Sequence, residues 1–359
     1  MARAVTKSRG GLRGRIQSMT DTNLLTSITI LVFVVMYLCA VIFLQAGFLK
    51  PQMLLNMLGT NASLIILSCG MTLVMITGGI DISVGGVTAL VSMCCAVYLD
   101  QHGGNVYVAI LIALGIGLAF GLVQGYLIAY LEIQPFIVTL AGMFFARGMT
   151  TIVNTVPFDV KQEQFVAWKD ARVIVPFLGS YNKNGVYRDA KIEIGVIVAL
   201  AVVVLMFVML RWTKLGRSFY AVGGNRQSAL MLGVNVKRTT FLSHLLCGLL
   251  AGIGGFVYFL HVGSCSPSHA AGYEMNAIAS SIIGGTMLTG GVGNVGGTLF
   301  GVLLLALIQN IVSSVGMDEA YWTGITIAAM LCLFLIVQSV IIARRKKATA
   351  DTRRQENGG

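Results

Sequence analysis

Hydrophobic residues in this chain fall into long unbroken blocks and do not alternate with polar ones, so the pattern is neither that of half-buried strands nor that of surface helices. A helix rising 1.5 Å per residue needs about 20 apolar residues to cross ~30 Å of hydrocarbon. Such blocks lie near residues 24–46, 61–79, 84–100, 106–130, 133–155, 192–210, 240–262, 273–289, 295–314 and 321–342. They predict an all-α polytopic membrane protein of about ten transmembrane helices, with the helices beside the glycine-rich stretches 78–86 and 284–297 short or broken. The organisation is then a basic tail over 1–23, a single membrane domain over 24–342 and a second basic tail over 343–359, with an external loop at 156–191 and a cytoplasmic loop at 211–238.

Composition agrees with this pattern. Hydrophobic residues make up 56% of the 359 positions and charged residues 11%, against roughly a quarter charged in soluble domains, which excludes a soluble enzyme. Glycine is frequent (43) while proline is scarce (5), as close helix packing in lipid requires. The net charge of +11 is clumped: 17 of the 25 Lys and Arg lie within 1–20, 211–238 and 344–359, accompanied only by Asp351 and Glu356. Six crossings place 211–238 on the same side as a cytoplasmic N-terminus, and ten bring the C-terminal tail there too, so all three clusters obey the positive-inside rule. Short basic clusters without aromatic interleaving make nucleic acid the poorer partner. The seven cysteines have no C-x-x-C spacing and imply no disulfide framework or zinc site. The first apolar run is too long for a signal-peptide core and reads as a retained span.

The chain also resembles itself. The segment from Met75 through Ile76-Thr77-Gly78-Gly79-Ile80-Asp81-Ile82-Ser83-Val84-Gly85-Gly86 aligns, after one gap, with the segment from Met287 through Leu288-Thr289-Gly290-Gly291-Val292-Gly293-Asn294-Val295-Gly296-Gly297. Glycine-interrupted spans at corresponding positions point to a transport pathway, since unwound backbone at membrane depth needs protein or a watery cavity to satisfy it. Between the repeats, residues 215–234 read as a loop followed by a short helix. Asn225 supplies a cap for Gln227 or Ser228, and Gly233 supplies the left-handed residue that ends the helix. Ala229, Leu230, Met231 and Leu232 give that helix an apolar face beside basic residues, suited to a protein partner or to an anionic lipid surface.

Three motifs in order carry a resemblance to the membrane permeases of bacterial ABC importers for monosaccharides, the ribose, xylose and galactose type. They are Gly78-Gly79-Ile80-Asp81-Ile82-Ser83-Val84-Gly85, the 216–233 segment around Tyr220-Ala221-Val222-Gly223-Gly224-Asn225, and Asn276-Ala277-Ile278-Ala279 leading to Gly284-Gly285-Thr286 and Gly290-Gly291-Val292-Gly293. The chain departs from the family pattern at Met275-Asn276, where a hydrophobic residue followed by Asp is common, and in the length of the 156–191 loop. The resemblance implies an inner-membrane subunit with cytoplasmic termini that translocates a monosaccharide delivered by an extracytoplasmic binding protein. It further implies a cytoplasmic ABC ATPase that uses ATP and Mg, and a second permease copy or paralogue. It makes the segment formed by Gly216, Arg217, Tyr220, Gly223, Gly224, Asn225, Arg226, Ala229, Leu230, Leu232 and Gly233 the ATPase-coupling element. The bottom-up reading agrees: no lysine follows a glycine, so the chain has no G-x-x-x-x-G-K-[ST] phosphate cradle of its own.

Candidate pathway residues are Gly78, Gly79, Asp81, Ser83, Gly85, Arg147, Asn276, Gly284, Gly285 and Thr286. A charge at the bilayer centre costs roughly 2.5–3.5 kcal/mol on insertion scales, so Asp81, Glu132, Arg147, His244, His261 and Glu274 each need an interface, a partner or a role. Asp81 has two readings, an organiser of unwound backbone with Ser83 or a helix cap. Arg147 has two as well, a sugar contact or a helix brace. His244 and His261, without neighbours at ligand spacing, read as packing residues, and no metal site is expected. No catalytic constellation is present, which argues against an intramembrane enzyme. The scarcity of intramembrane acids argues against the alternative of an ion-coupled secondary transporter.

Overall fold

The computed structural model describes residues 21–44, 47–181, 187–316, 321–322, 324–336 and 339–340. The basic clusters at 1–20 and 344–359 lie outside these residues. The helices are α1 (Asp21–Leu44), α2 (Pro51–Thr60), α3 (Ala62–Ile76), α4 (Val84–Asp100), α5 (Val106–Ala129), α6 (Pro135–Val153), α7 (Glu163–Asp170), α8 (Ile194–Trp212), α9 (Lys214–Gly224), α10 (Arg226–Met231), α11 (Val236–Val262), α12 (Tyr273–Ile283), α13 (Val295–Ser314) and α14 (Gly324–Ile336). Four short strands, β1 (Phe158–Asp159), β2 (Arg172–Tyr181), β3 (Tyr187–Glu193) and β4 (Ser264–Cys265), complete the described elements.

The described residues of the ten predicted apolar blocks are largely helical, but not every block forms a helix long enough to span by itself. Among the described residues six helices are long and apolar enough to cross a membrane, namely the Leu24–Leu44 part of α1 with α5, α6, α8, α11 and α13. The pair α2 and α3, bent by 60° at Asn61, reaches that length and hydropathy only when taken together. Helices α3 (15 residues), α4 (17) and α12 (11) are too short alone. The glycine-rich stretches cut them: the chain leaves the helical region at Gly78 (φ 88°) and again at Gly285, Gly290 and Gly291 (φ 95°, 84° and 75°), conformations open to glycine without steric cost.

Helix α3 occupies the centre, with every residue buried, which is why its sequence is apolar all round and lacks a polar stripe. Hydroxyls tie it to its neighbours. Ser68 Oγ lies 2.8 Å from Ser280 Oγ of α12, and Thr72 Oγ1 lies 2.7 Å from Thr298 Oγ1 of α13 and 3.2 Å from Ser281 Oγ. Helices α5 and α11 cross backbone to backbone through small residues at four-residue spacing. A Cβ on Gly121 would come within 2.9 Å of the Leu245 carbonyl, and one on Gly248 within 2.6 Å of the Gly121 backbone. The seven cysteines are free.

The described residues of the 156–191 region form a small folded unit. Strand β1 pairs antiparallel with β4, and β2 pairs with β3 around an irregularity between Val175 and Ser180. Phe165 of α7 is fully buried and stacks on Phe259 of α11 at 4.4 Å. His261 Nδ1 and Arg172 both pair with Glu193, at 2.7 and 3.1 Å. The 27 residues of α11, about 40 Å of helix, separate this unit from α9 and α10 at the other end of the bundle.

Candidate functional site

The 211–238 segment holds more helix than the sequence predicts. Lys214–Gly224, expected as loop, is α9, because Thr213 caps it by accepting from the Gly216 N–H at 3.1 Å and its apolar side chains have a bundle to pack on. Gly216 lets α9 turn tightly against the end of α8, where a Cβ would meet the Leu210 backbone. Asn225 then leaves the helical region (φ −159°) and caps α10, its Oδ1 accepting from the Ser228 N–H at 2.9 Å. Gly233 ends the unit in the left-handed region at φ 79°. Ala229 is buried with Val222 and Val236, whereas Leu230, Met231 and Leu232 are 57%, 82% and 81% exposed. Arg226, at the start of α10, and Arg217, on α9, are exposed as well. The result is a small helix anchored by one alanine that turns an apolar edge and one cation outward.

The backbone of α9 meets both glycine-rich breaks at one point. The Gly291 N–H donates to the Ile76 carbonyl at 2.9 Å. Gly223 sits on that bond so closely that a Cβ there would overlap the Ile76 carbonyl oxygen and lie 2.5 Å from the Gly291 nitrogen. Gly290 abuts Gly78, and Gly291 abuts Gly224, at 3.1 and 2.7 Å from where a Cβ would stand. The Tyr220 hydroxyl donates to the Gly293 carbonyl at 2.8 Å, and burial pushes its phenol up to about 12, which keeps the donor proton in place through the neutral range. Both copies of the internal repeat thus touch each other and the α9–α10 unit. Gly223, Gly290 and Gly291 each remove a side chain that would hold two backbones apart.

Deeper in the bundle, Asp81 is 2% exposed. Its Oδ1 accepts from the Ser83 N–H at 3.0 Å and from the Ser83 hydroxyl at 2.6 Å, and that hydroxyl also lies 3.2 Å from Gln124 Oε1. The carboxyl therefore organises the unwound turn ahead of α4, with no ion pair among the described residues. Gly79 packs where a Cβ would stand 3.3 Å from His244 Nε2. Both ring nitrogens of His244 and Nε2 of Gln124 are buried without a hydrogen-bond partner among the described residues. Sequence reading singled out Asp81 and Ser83 and missed Gln124; an amide inside the apolar run 106–130 is the signal that marks it.

The remaining candidates stand apart from this junction. Arg147 Nη1 donates to the carbonyls of His269 (2.5 Å) and Pro267 (3.4 Å), and Nη2 to that of Ala270 (2.9 Å), so it braces the 266–272 turn, where Ala270 itself is left-handed at φ 52°. Glu274 lies over Gly85 at the start of α4, with one carboxyl oxygen accepting from the Gly272 N–H at 3.3 Å and the other unpaired among the described residues. Gly284 permits close contact with Gly297 of α13, and Gly285 with Leu25 of α1. Thr286 is buried beside Gly293. Asn276 is half-buried on α12 and its side chain bonds nothing among the described residues. Glu132, left-handed at φ 57°, pairs with Lys237 at an exposed turn. Among the described residues no group of His, Cys, Asp or Glu is arranged to hold a metal ion.

Residues 53–335 match a family of proteins described as the permease component of the branched-chain amino acid transport system. Several of the relatives are named as sugar import permeases. The chain is 38% identical over 283 residues to the fructose import permease protein FruG of Bifidobacterium longum (strain NCC 2705), covering 79% of this chain and 81% of that one. It is 37% identical over 326 residues to the inner membrane ABC transporter permease protein YjfF of Escherichia coli (strain K12), covering 89% and 93%. To the ribose import permease protein RbsC of the same strain it is 32% identical over 300 residues, covering 82% and 88%. No solved structure matches the chain.

Proposed function

Because this chain belongs to the family of ABC-importer permeases, within its group of monosaccharide carriers, we propose that it couples sugar passage to a partner ATPase through α9 and α10. The chain is the membrane-spanning permease component of a sugar importer. The finer assignments are our reading: a cytoplasmic ATPase grips α10, a second permease copy completes the channel, an extracytoplasmic protein delivers the sugar, and the termini face the cytoplasm.

The observation that carries the coupling proposal is the meeting of α9 with both glycine-rich breaks at the bond between Gly291 and Ile76. Leu230, Met231 and Leu232 offer an apolar grip to the partner. Displacement of α10 passes to α9 through the buried Val222, Ala229 and Val236. From α9 it passes through Gly223 and the bond from Tyr220 to Gly293 into the loops 77–83 and 285–294, which end α3 and start α4 and α13. At Gly223, Gly290 and Gly291 the contacts are backbone on backbone, so there is little side-chain slack there to absorb the motion. ATP binding in the partner then biases the channel between two states by its differential grip on α10. No nucleotide chemistry falls to this chain. Asp81 holds the turn between α3 and α4 in register while the loops move.

The direct test replaces Leu230 and Met231 together with glutamate. We expect the variant to insert in the membrane normally but to lose copurification with the ATPase and to lose ATP-driven uptake of D-ribose, D-fructose and D-galactose. Retention of the ATPase with unchanged uptake would remove α10 from the coupling path.

A further inference from the structure

At the end of α13 away from the α9 junction, a cavity of about 160 Å³ opens between that helix and the elbow of α2 and α3. Gln309 lies 14 positions, about 21 Å, along α13 from its start at Val295. The cavity is on the side of the bundle that carries the β2–β3 hairpin, since Gln52 of α2 exchanges two hydrogen bonds with the Lys191 backbone at 3.0 and 2.9 Å. Among the described residues its polar lining is uncharged: Asn56, Thr60 and Asn61 from the elbow, and Gln309, Asn310 and Ser313 from α13, over Met53 and Met57.

Two of these amides are fixed. Asn61 Nδ2 donates to the Met57 carbonyl and Asn310 Nδ2 to the Ala306 carbonyl, at 2.9 and 2.8 Å. Each holds one amide hydrogen on the carbonyl four residues back, and its side-chain oxygen accepts no hydrogen bond among the described residues. Gln309 and Thr60 have no side-chain hydrogen bond among the described residues and offer donors as well. Four amides gathered at the end of an apolar span, against none needed to cap α13, are costly unless they face water or a polar ligand.

We propose that this cavity is a binding site for a neutral, hydroxyl-rich solute the size of one sugar ring, the first station within the permease for the sugar it carries. The chemistry selects that class. Amide oxygens without a bond, with adjacent free donors, match vicinal hydroxyls, the methionines present an apolar floor to the C–H face of a ring, and no ionisable residue stands among the described lining residues. The volume falls below the ~300–1,000 Å³ of drug-sized sites, as a single small ring requires. The proposal rests on the reading of the chain as a monosaccharide permease.

The test uses the permease–ATPase complex in nanodiscs, probed by saturation-transfer NMR with each of D-ribose, D-fructose and D-galactose, alongside ATP-driven uptake with the binding protein added. Asn310→Leu and Gln309→Leu should each weaken the transfer signal and slow uptake by about three- to tenfold, the effect of one lost neutral hydrogen bond, while basal ATP hydrolysis is unchanged. Thr60→Val, nearly isosteric, should do the same by a smaller factor and covers the event that a leucine variant fails to fold. Unchanged transfer and uptake in Thr60→Val and in whichever leucine variants fold would overturn the site. Wild-type transfer that is lost in these variants, with no uptake of any of the three sugars, would keep the site and overturn the transport reading. Neither transfer nor uptake in the wild type would overturn both.

Discussion

Gly223 and Gly224 are adjacent glycines in one motif, and the structure gives them opposite fates. A methyl group added to Gly223 would overlap the Ile76 carbonyl oxygen and lie 2.5 Å from the Gly291 nitrogen and 2.9 Å from the Ile76 carbonyl carbon. All three are backbone atoms, so no side chain can swing aside. Relief requires opening the bond from Gly291 to Ile76. Overpacking costs about 1–3 kcal/mol and the lost bond about 0.5–1.5 kcal/mol, so Gly223→Ala should disfavour the closed junction by about 2–4 kcal/mol. A methyl on Gly224 meets nothing within 4 Å, and Gly→Ala at an unstrained position stabilises by about 0.4–1 kcal/mol. In proteoliposomes holding permease, ATPase and binding protein, sugar transported per ATP hydrolysed should fall at least tenfold in Gly223→Ala and stay at the wild-type ratio in Gly224→Ala. Equal ratios in the two variants, whether both normal or both low, would refute the close-contact argument.

Three further outcomes follow from the same geometry. Tyr220→Phe leaves the Gly293 carbonyl without its donor and should weaken the junction by about 1–3 kcal/mol, read as a reduced transport-to-hydrolysis ratio with membrane insertion unchanged. Because the folded phenol is raised from 10 to about 12, its contribution is present in full below pH 10 and is lost as pH rises through about 12; a hydroxyl-dependent loss of coupling between pH 7 and 9 in the wild type would contradict this. Asp81→Ala removes the acceptor for both the Ser83 N–H and the Ser83 hydroxyl and should cost about 1–3 kcal/mol per buried group left unpaired, seen as a lowered unfolding temperature in detergent; Asp81→Asn, which keeps an acceptor, should recover most of it. Gly248→Val drives a branched side chain into the Gly121 backbone and should cut the yield of folded, monodisperse protein, an effect that a size-exclusion profile would reveal or refute.

Much of the membrane architecture was legible because a bilayer demands long apolar runs, and the described residues of these runs are largely helical. Which of them stand alone as spans was not. The sequence marks that 77–83 and 284–294 are glycine-rich, but whether the chain there crosses, bends or turns back depends on which backbone groups find partners. Those partners, such as the Ile76 carbonyl for Gly291, lie more than two hundred residues away. The cap at Asn225 and the left-handed end at Gly233 could be read because capping is local. Helix α9 was read as loop because its glycines weigh against helix until Gly216 and Gly223 are seen to be sites of close packing against α8 and Ile76. Arg147 could be narrowed only to two roles, since a guanidinium serves a ligand or three carbonyls equally well, and the carbonyls of 267–270 are what it meets. The polar residues at the α2–α3 elbow and the end of α13 passed unnoticed because each set alone resembles ordinary interfacial polarity; only their apposition across one cavity gives them meaning.

Central to the account is a gate driven from outside the chain through α10. The most direct measurement is sugar uptake by sealed proteoliposomes, comparing the permease alone with the permease joined to its ATPase and binding protein, with and without ATP. Uptake confined to the complete assembly with ATP, and abolished when Leu230 and Met231 are made acidic, is the predicted result. Uptake by the chain alone at the same rate, with no nucleotide present, would contradict it.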